Sequence, residues 1–148
     1  YEYWKHELPE MELSWGMFGE NFTTEGLFEP ELNIGDQFRI GSAVVMVTEP
    51  RLPCYKLGVR FGRTDIIKKF LVSERTGFYL AVLQEGAVTA GDRFELIQMN
   101  NQSVRVSDVT RLYTRDKHNT ELLRRAIQVE ALPESWKSYF SNQLERAD

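Results

Sequence analysis

Hydrophobic and polar positions along the chain fall into two regimes. Through residue 106 the apolar residues come in short alternating or β-branched runs, which predicts strands at Gln37–Ile40, Ala43–Thr48, Phe78–Gln84, Arg93–Met99 and Ser103–Val106. Between these runs stand Asn33-Ile34-Gly35-Asp36, Gly41-Ser42, Glu85-Gly86, Ala90-Gly91-Asp92 and Asn100-Asn101, the glycine-rich and polar punctuation of turns. Strands this short and this closely spaced predict a β-barrel or sandwich. One helical pattern interrupts them, with Ile66, Ile67, Phe70 and Leu71 on one face and Thr64 as the expected cap. The stretch from Gly16 to Gly26 is too aperiodic for a helix and too aromatic for a linker, so it reads as an ordered loop.

From Ser107 onward the period becomes helical. Ser107 is expected to cap a segment carrying Val109, Leu112 and Tyr113, and Asn119 or Thr120 one carrying Leu122, Leu123, Ala126 and Ile127; Pro133 stands near the start of a third with Trp136, Tyr139, Phe140 and Leu144. Helices under about 15 residues are marginal alone, so the three must pack together or onto the β region. Trp136, Tyr139 and Phe140 match a core-facing stripe, with a partner-docking surface as the alternative. The chain therefore divides into a β domain, residues 1–106, and a three-helix domain, residues 107–148. Tyr1-Glu2-Tyr3-Trp4 reads as the end of a helix with no initiator methionine, so an N-terminal truncation is expected.

Composition narrows the class. At 42% hydrophobic and 27% charged over 148 residues, the chain can bury a real core and disorder is not expected. No apolar run approaches the roughly 20 residues of a bilayer span, and no secretory signal is visible. A single cysteine excludes an intramolecular disulfide and any cysteine-only zinc cage, and His6 and His118 add too little for a structural zinc site. The expected location is a reducing cytoplasm.

The net charge of −4 conceals an asymmetry: residues 1–50 hold two basic and ten acidic side chains, residues 51–75 seven basic and two acidic. A basic block inside an acidic chain points to an anionic small ligand rather than nucleic acid, which wants a basic face over the whole domain; a solvated helix face is the alternative. The block opens beside the only cysteine, in Glu49-Pro50-Arg51-Leu52-Pro53-Cys54-Tyr55-Lys56-Leu57. Two prolines stiffen the approach, so Cys54 is expected on a rigid strand-end loop. A helical turn from Tyr55, with Arg51 and Lys56 beside it, would favour the thiolate, the form that ligates soft metals. A small buried hydrophobe is the other reading of Cys54. A Cys–His hydrolase has little support, because neither histidine lies at a catalytic-motif spacing. Gly16-Met17-Phe18-Gly19 and Gly58-Val59-Arg60-Phe61-Gly62 lack the spacing of a Walker loop or dinucleotide fingerprint.

These segments together resemble the MOSC-domain family, in its YiiM-type branch. The resemblance is carried by Gly19-Glu20-Asn21-Phe22-Thr23-Thr24-Glu25-Gly26-Leu27, Ile34-Gly35-Asp36, Pro50–Leu57, Gly77-Phe78-Tyr79-Leu80 and Gly91-Asp92. Behind them, Arg115-Asp116-Lys117 and Leu122-Leu123-Arg124-Arg125-Ala126 are similar to the family's three-helix (3-alpha) domain. The resemblance implies a MOSC-type β-barrel that binds the molybdenum cofactor, Mo-molybdopterin, with Cys54 as the metal's protein ligand and catalytic centre. Similarity to the mitochondrial amidoxime-reducing proteins adds Asn21 and Tyr79 as cofactor contacts, and charge adds Arg51 and Lys56 for the pterin phosphate. Family members have further strands ahead of the region where this chain opens, in line with the expected truncation.

The implied activity is reduction of small N-hydroxylated compounds such as hydroxylaminopurines, amidoximes or hydroxamates. The chain has neither a cysteine cluster for iron–sulfur nor a flavin fingerprint, so a separate flavin or iron–sulfur donor protein is the expected partner. Neither nucleic acid nor membrane is expected as a partner, and a homodimer is left open. The alternatives are a non-catalytic carrier of the cofactor or of activated sulfur on Cys54, and a structural module in which Cys54 is only packed.

Overall fold

The Gly41-Ser42 pair turns one strand back on the next. In a computed structural model that describes residues 1–147, β1 (Gln37–Ile40) and β2 (Ala43–Pro50) form a hairpin with Ile40 opposite Ala43 and Gln37 opposite Met46. Gly41 sits at φ +56, where a two-residue hairpin loop favours glycine, and a Cβ there would stand 2.2 Å from the Ala87 carbonyl oxygen. β3 (Phe78–Gln84) and β4 (Glu95–Gln98) flank the hairpin in an antiparallel sheet of order β3-β2-β1-β4. Ala43, Val45 and Val47 are buried along β2 while the residues between them are half-exposed, the alternation of a strand with one packed face.

Among the described residues six helices accompany this sheet. α1 (Glu2–Glu7) precedes it, α2 (Tyr55–Phe61) and α3 (Ile66–Ser73) join β2 to β3, and α4 (Val106–Thr114), α5 (Thr120–Ile127) and α6 (Glu134–Glu145) follow. The sheet and α4–α6 share one core, with Ile34, Val47, Val104, Val109, Leu112, Leu123 and Phe140 almost fully buried. A second core, built from α1, the 13–18 loop, α2 and α3, is largely aromatic: Trp4, Phe18, Phe61 and Phe70 with Leu8, Leu13, Leu57 and Ile66. Its rings pack with centroids 5.2–5.9 Å apart. No helix among the described residues is long and apolar enough to cross a membrane.

The expected order, a sheet followed by three helices, is what the chain adopts. The closed barrel is not: the described residues form an open four-stranded sheet whose outer strands each keep one unpaired edge. The predicted strand at Ser103–Val106 does not form either. Ser103–Val106 has the right alternation, but Ser103 takes φ +51, only Asn33 and Arg105 make an isolated bridge, and α4 begins at Val106. The cap of α4 also differs from expectation. Ser107 lies buried inside the helix, and the Asp108 carboxylate instead accepts the Arg105 N–H at 2.9 Å, ending any strand there.

Thr64 likewise does not cap α3. Asp65 occupies that position, its carboxylate taken bidentately by Arg63 at 2.7 and 2.8 Å, and this pairing holds the carboxyl below its ordinary range. Asn119 caps α5 as expected, accepting the Leu122 N–H at 3.1 Å. β4 is shorter than its predicted Arg93–Met99, running from Glu95 to Gln98, and Phe94 just before it lies edge-on to Phe38 with 6.0 Å between centroids. Asp148, the last residue of the expected three-helix domain, lies outside the described residues.

Candidate functional site

The end of β2 and the start of β3 are tied together by Gly77. Its carbonyl accepts the Arg51 N–H at 3.0 Å and the Thr76 hydroxyl at 2.9 Å, while its N–H donates to Oε1 of the buried Glu29 at 2.8 Å. Gly77 has φ +69, a left-handed conformation that side chains resist. The register beyond this turn pairs Pro50 with Phe78 and Glu49 with Tyr79. Arg51 and Tyr79 thereby stand at the same end of the β2–β3 pair, Arg51 opposite Gly77 and Tyr79 opposite Glu49.

Above them opens a cleft of about 440 Å³ between the aromatic core and the sheet. Trp4, Phe18 and Phe70 line it from the aromatic core, and Val45, Phe78, Leu80 and Val82 from β2 and β3. Its polar lining comes from Glu20, Asn21, Thr23, Thr24, Arg51, Arg75, Thr76 and Tyr79. A mostly apolar hollow of this size with convergent polar groups is the usual form of a ligand pocket. Arg51 lies over the Phe70 ring at 5.5 Å and Arg75 over Tyr3 at 4.7 Å, so both guanidiniums are steered by aromatic faces.

Glu20 is the most constrained polar group in the cleft wall. Its Oε1 accepts the Tyr1 hydroxyl, the Gly16 N–H at 2.9 Å and the Thr23 hydroxyl at 3.1 Å, while Oε2 is buried without a partner. Burial pushes the carboxyl up, but the bonds from Tyr1, Gly16 and Thr23 outweigh it and hold the group below the ordinary carboxylate range. The same burial and the bond to Glu20 push the Tyr1 phenol up to about 12. The cleft thus presents a fixed anion with one oxygen unsatisfied and two cations.

Of the residues singled out from sequence, Asn21, Arg51 and Tyr79 come together in this lining. Cys54 and Lys56 are not part of it. Cys54 is exposed at the head of α2, with an extended backbone (φ −118, ψ 174) and its carbonyl accepting the Leu57 N–H at 2.9 Å. A packed, buried cysteine is therefore not what the fold contains. Lys56 is exposed on α2. Both histidines are exposed, His6 on α1 and His118 between α4 and α5. Sequence reasoning missed Glu20 and Arg75. Glu20 stood within the Gly19-Glu20-Asn21 motif and Arg75 within the basic block, so each carried a signal that selection for cofactor contacts passed over.

Comparison with known proteins bears on both halves of the chain. Residues 1–95 match the family model described as the MOSC domain, and residues 106–147 the model described as the YiiM-like, 3-alpha helix domain. The chain is 38% identical over 146 residues to the uncharacterized protein YflK of Bacillus subtilis, covering 99% of this chain and 66% of that protein. A crystal structure of YiiM from Geobacillus stearothermophilus superposes with a TM-score of 0.92 at 30% identity, covering 97% of this chain and 73% of that one. A protein named Reductase from Gibberella moniliformis is 31% identical over 132 residues, which are 87% of this chain and 24% of that protein. The chain thus spans slightly under two thirds of the first curated relative and about a quarter of the other.

Proposed function

The chain belongs to the MOSC domain family, and on that premise we propose that it binds the molybdenum cofactor and reduces small N-hydroxylated compounds such as amidoximes and hydroxylaminopurines. The observation that carries this reading is the pairing, in one cleft, of an unpartnered buried carboxylate oxygen with two guanidiniums. A pterin bears N–H donors and a phosphate; Glu20 Oε2 suits the first, and Arg51 and Arg75 suit the second. Asn21 and Tyr79 add an amide and a phenol, and the exposed thiol of Cys54 is the soft ligand for the metal. Lys56 stands outside the lining and adds only a field that salt screens. When bound, the cofactor supplies the two-electron chemistry.

What the chain contributes is preorganisation. Arg51 is held by its backbone bond to Gly77 and by the Phe70 ring, so its guanidinium needs little reordering to clamp an anion. The aromatic wall of Trp4, Phe18 and Phe70 excludes water, which strengthens every charge contact inside. Glu20, held ionised, accepts hydrogen bonds and orients a heterocycle rather than donating a proton. One cysteine in these 148 residues supplies no iron–sulfur ligand set, and in this reading the electrons come from a flavin or iron–sulfur centre outside them. A protein named Reductase carrying a segment similar to this one supports the reaction type.

The test is metal and pterin content after production in a host that makes the cofactor, for the parent and for Cys54→Ser, each checked for folding by circular dichroism. Near-stoichiometric molybdenum in the parent, its loss in Cys54→Ser, and turnover of an amidoxime with a viologen donor are expected. No molybdenum in the parent, or full retention in the variant, overturns the reading. The position of Cys54 outside the cleft lining favours a second one, a sulfur carrier. Its mark is one added sulfur on the intact mass after incubation with a persulfide donor, lost on reduction and absent from Cys54→Ser.

A further inference from the structure

A second cleft, of about 380 Å³, lies where the end of β2 meets α4 and α6. Its lining holds four aromatic side chains, Tyr79, Tyr113, Trp136 and Tyr139, one carboxylate, Glu49, and no lysine or arginine. Tyr113 stands edge-on to Trp136 with centroids 5.6 Å apart, and Tyr139 lies 5.6 Å from Tyr113 and 6.2 Å from Trp136. Glu49 Oε2 accepts the Trp136 indole N–H at 2.6 Å. No ion pair among the described residues uses the Glu49 carboxylate, although the chain carries 18 lysines and arginines.

A carboxylate set among aromatic faces, with no counter-cation of its own, makes a pocket of negative potential whose walls attract positive charge through their ring quadrupoles. We propose that this cleft binds a small organic cation carrying an alkylated or quaternary ammonium group. The competing class is a guanidinium. Its planar fork is met best by both carboxylate oxygens approached together, and the Trp136 indole N–H already occupies one direction of approach to Oε2. An alkylated ammonium makes no such demand: it offers methyl groups to the rings and charge to the remaining oxygen. The site needs no cofactor and stands whether or not the proposed reduction does.

The probe is choline, titrated at constant ionic strength into the 148-residue protein while the indole N–H resonances are followed by NMR. Three tryptophans give three signals, and Trp4→Phe and Trp15→Phe identify that of Trp136 by elimination. Choline is expected to shift the Trp136 signal saturably, with a Kd on the order of millimolar. Dimethylbutanol, its neutral carbon isostere, and guanidinium should each bind at least about tenfold more weakly. Glu49→Gln, which keeps an oxygen for the indole, and Tyr139→Leu should each weaken choline about tenfold, whereas Tyr139→Phe, which keeps the ring face, should stay within about twofold. Equal binding of the isostere shows a merely apolar hollow and overturns the proposal. So do tighter binding of guanidinium, an unshifted Trp136 signal, or indifference to Glu49→Gln in folded protein.

Discussion

The two cores of this molecule are built on different principles. The sheet and α4–α6 bury mostly aliphatic side chains, set at regular two- and three-to-four-residue intervals along strands and helices. The aromatic core gathers Trp4, Phe18, Phe61 and Phe70 from three short helices and an aperiodic loop, where ring-on-ring contact replaces periodic interlocking. The candidate cofactor cleft lies between this second core and the sheet, and its most constrained anion, Glu20, belongs to the loop. Both regions hold the fold together, and the contrast assigns ligand geometry to the aromatic one.

Truncating Phe70 breaks stability and ligand geometry at once. It is 2% exposed and carries Arg51 on its ring, so Phe70→Ala is expected to cost about 3–5 kcal/mol in urea unfolding and to lower molybdenum content per folded molecule. Leu112→Ala sharpens the comparison from the other side. At 0% exposure in the aliphatic core it should cost about 2–5 kcal/mol, measured the same way, yet leave molybdenum per folded molecule unchanged. Equal loss of metal in the two variants would sink the division of labour.

The smallest effect concerns protons. Because the folded Glu20 carboxyl lies below its reference value of 4.5, the unfolded chain binds the proton more readily; its contribution is complete above pH 4.5 and lost as pH falls through the folded value. Tyr1 has the opposite sign. Its phenol is raised from 10 to about 12, so its contribution is present below pH 10 and lost as pH climbs toward 12. Glu20→Gln should flatten the acid flank of a thermal-stability profile while leaving the pH 7 midpoint within a few degrees. An unchanged acid flank would show that the loop anion is not coupled to folding.

The aliphatic region was the legible one. Alternation along Gln37–Ile40 and Phe78–Gln84 predicted those strands to the residue, and α4–α6 followed from their periodic apolar faces. Val104 and Val106 misled because both are buried at a spacing of two, while the left-handed Ser103 and the Asp108 cap turn the chain into a helix between pattern and partner. The aromatic region hid its chemistry for another reason. Nothing local marks Glu20 as the acceptor of a phenol 19 residues away, since that bond exists only once α1 docks on the loop. Glu49 and Trp136 are 87 residues apart, and the tryptophan read simply as core, which at 7% exposure it is.

Tyr79 belongs to the lining of both clefts and is the cross-strand neighbour of Glu49. For protein engineering this makes position 79 a shared coordinate rather than an independent one. A library selected at that position for one ligand is screened, unasked, for its tolerance at the other cavity. Specificity of either site is better redesigned from the residues that only one of them uses, Asn21 and Arg75 for the first and Tyr139 for the second.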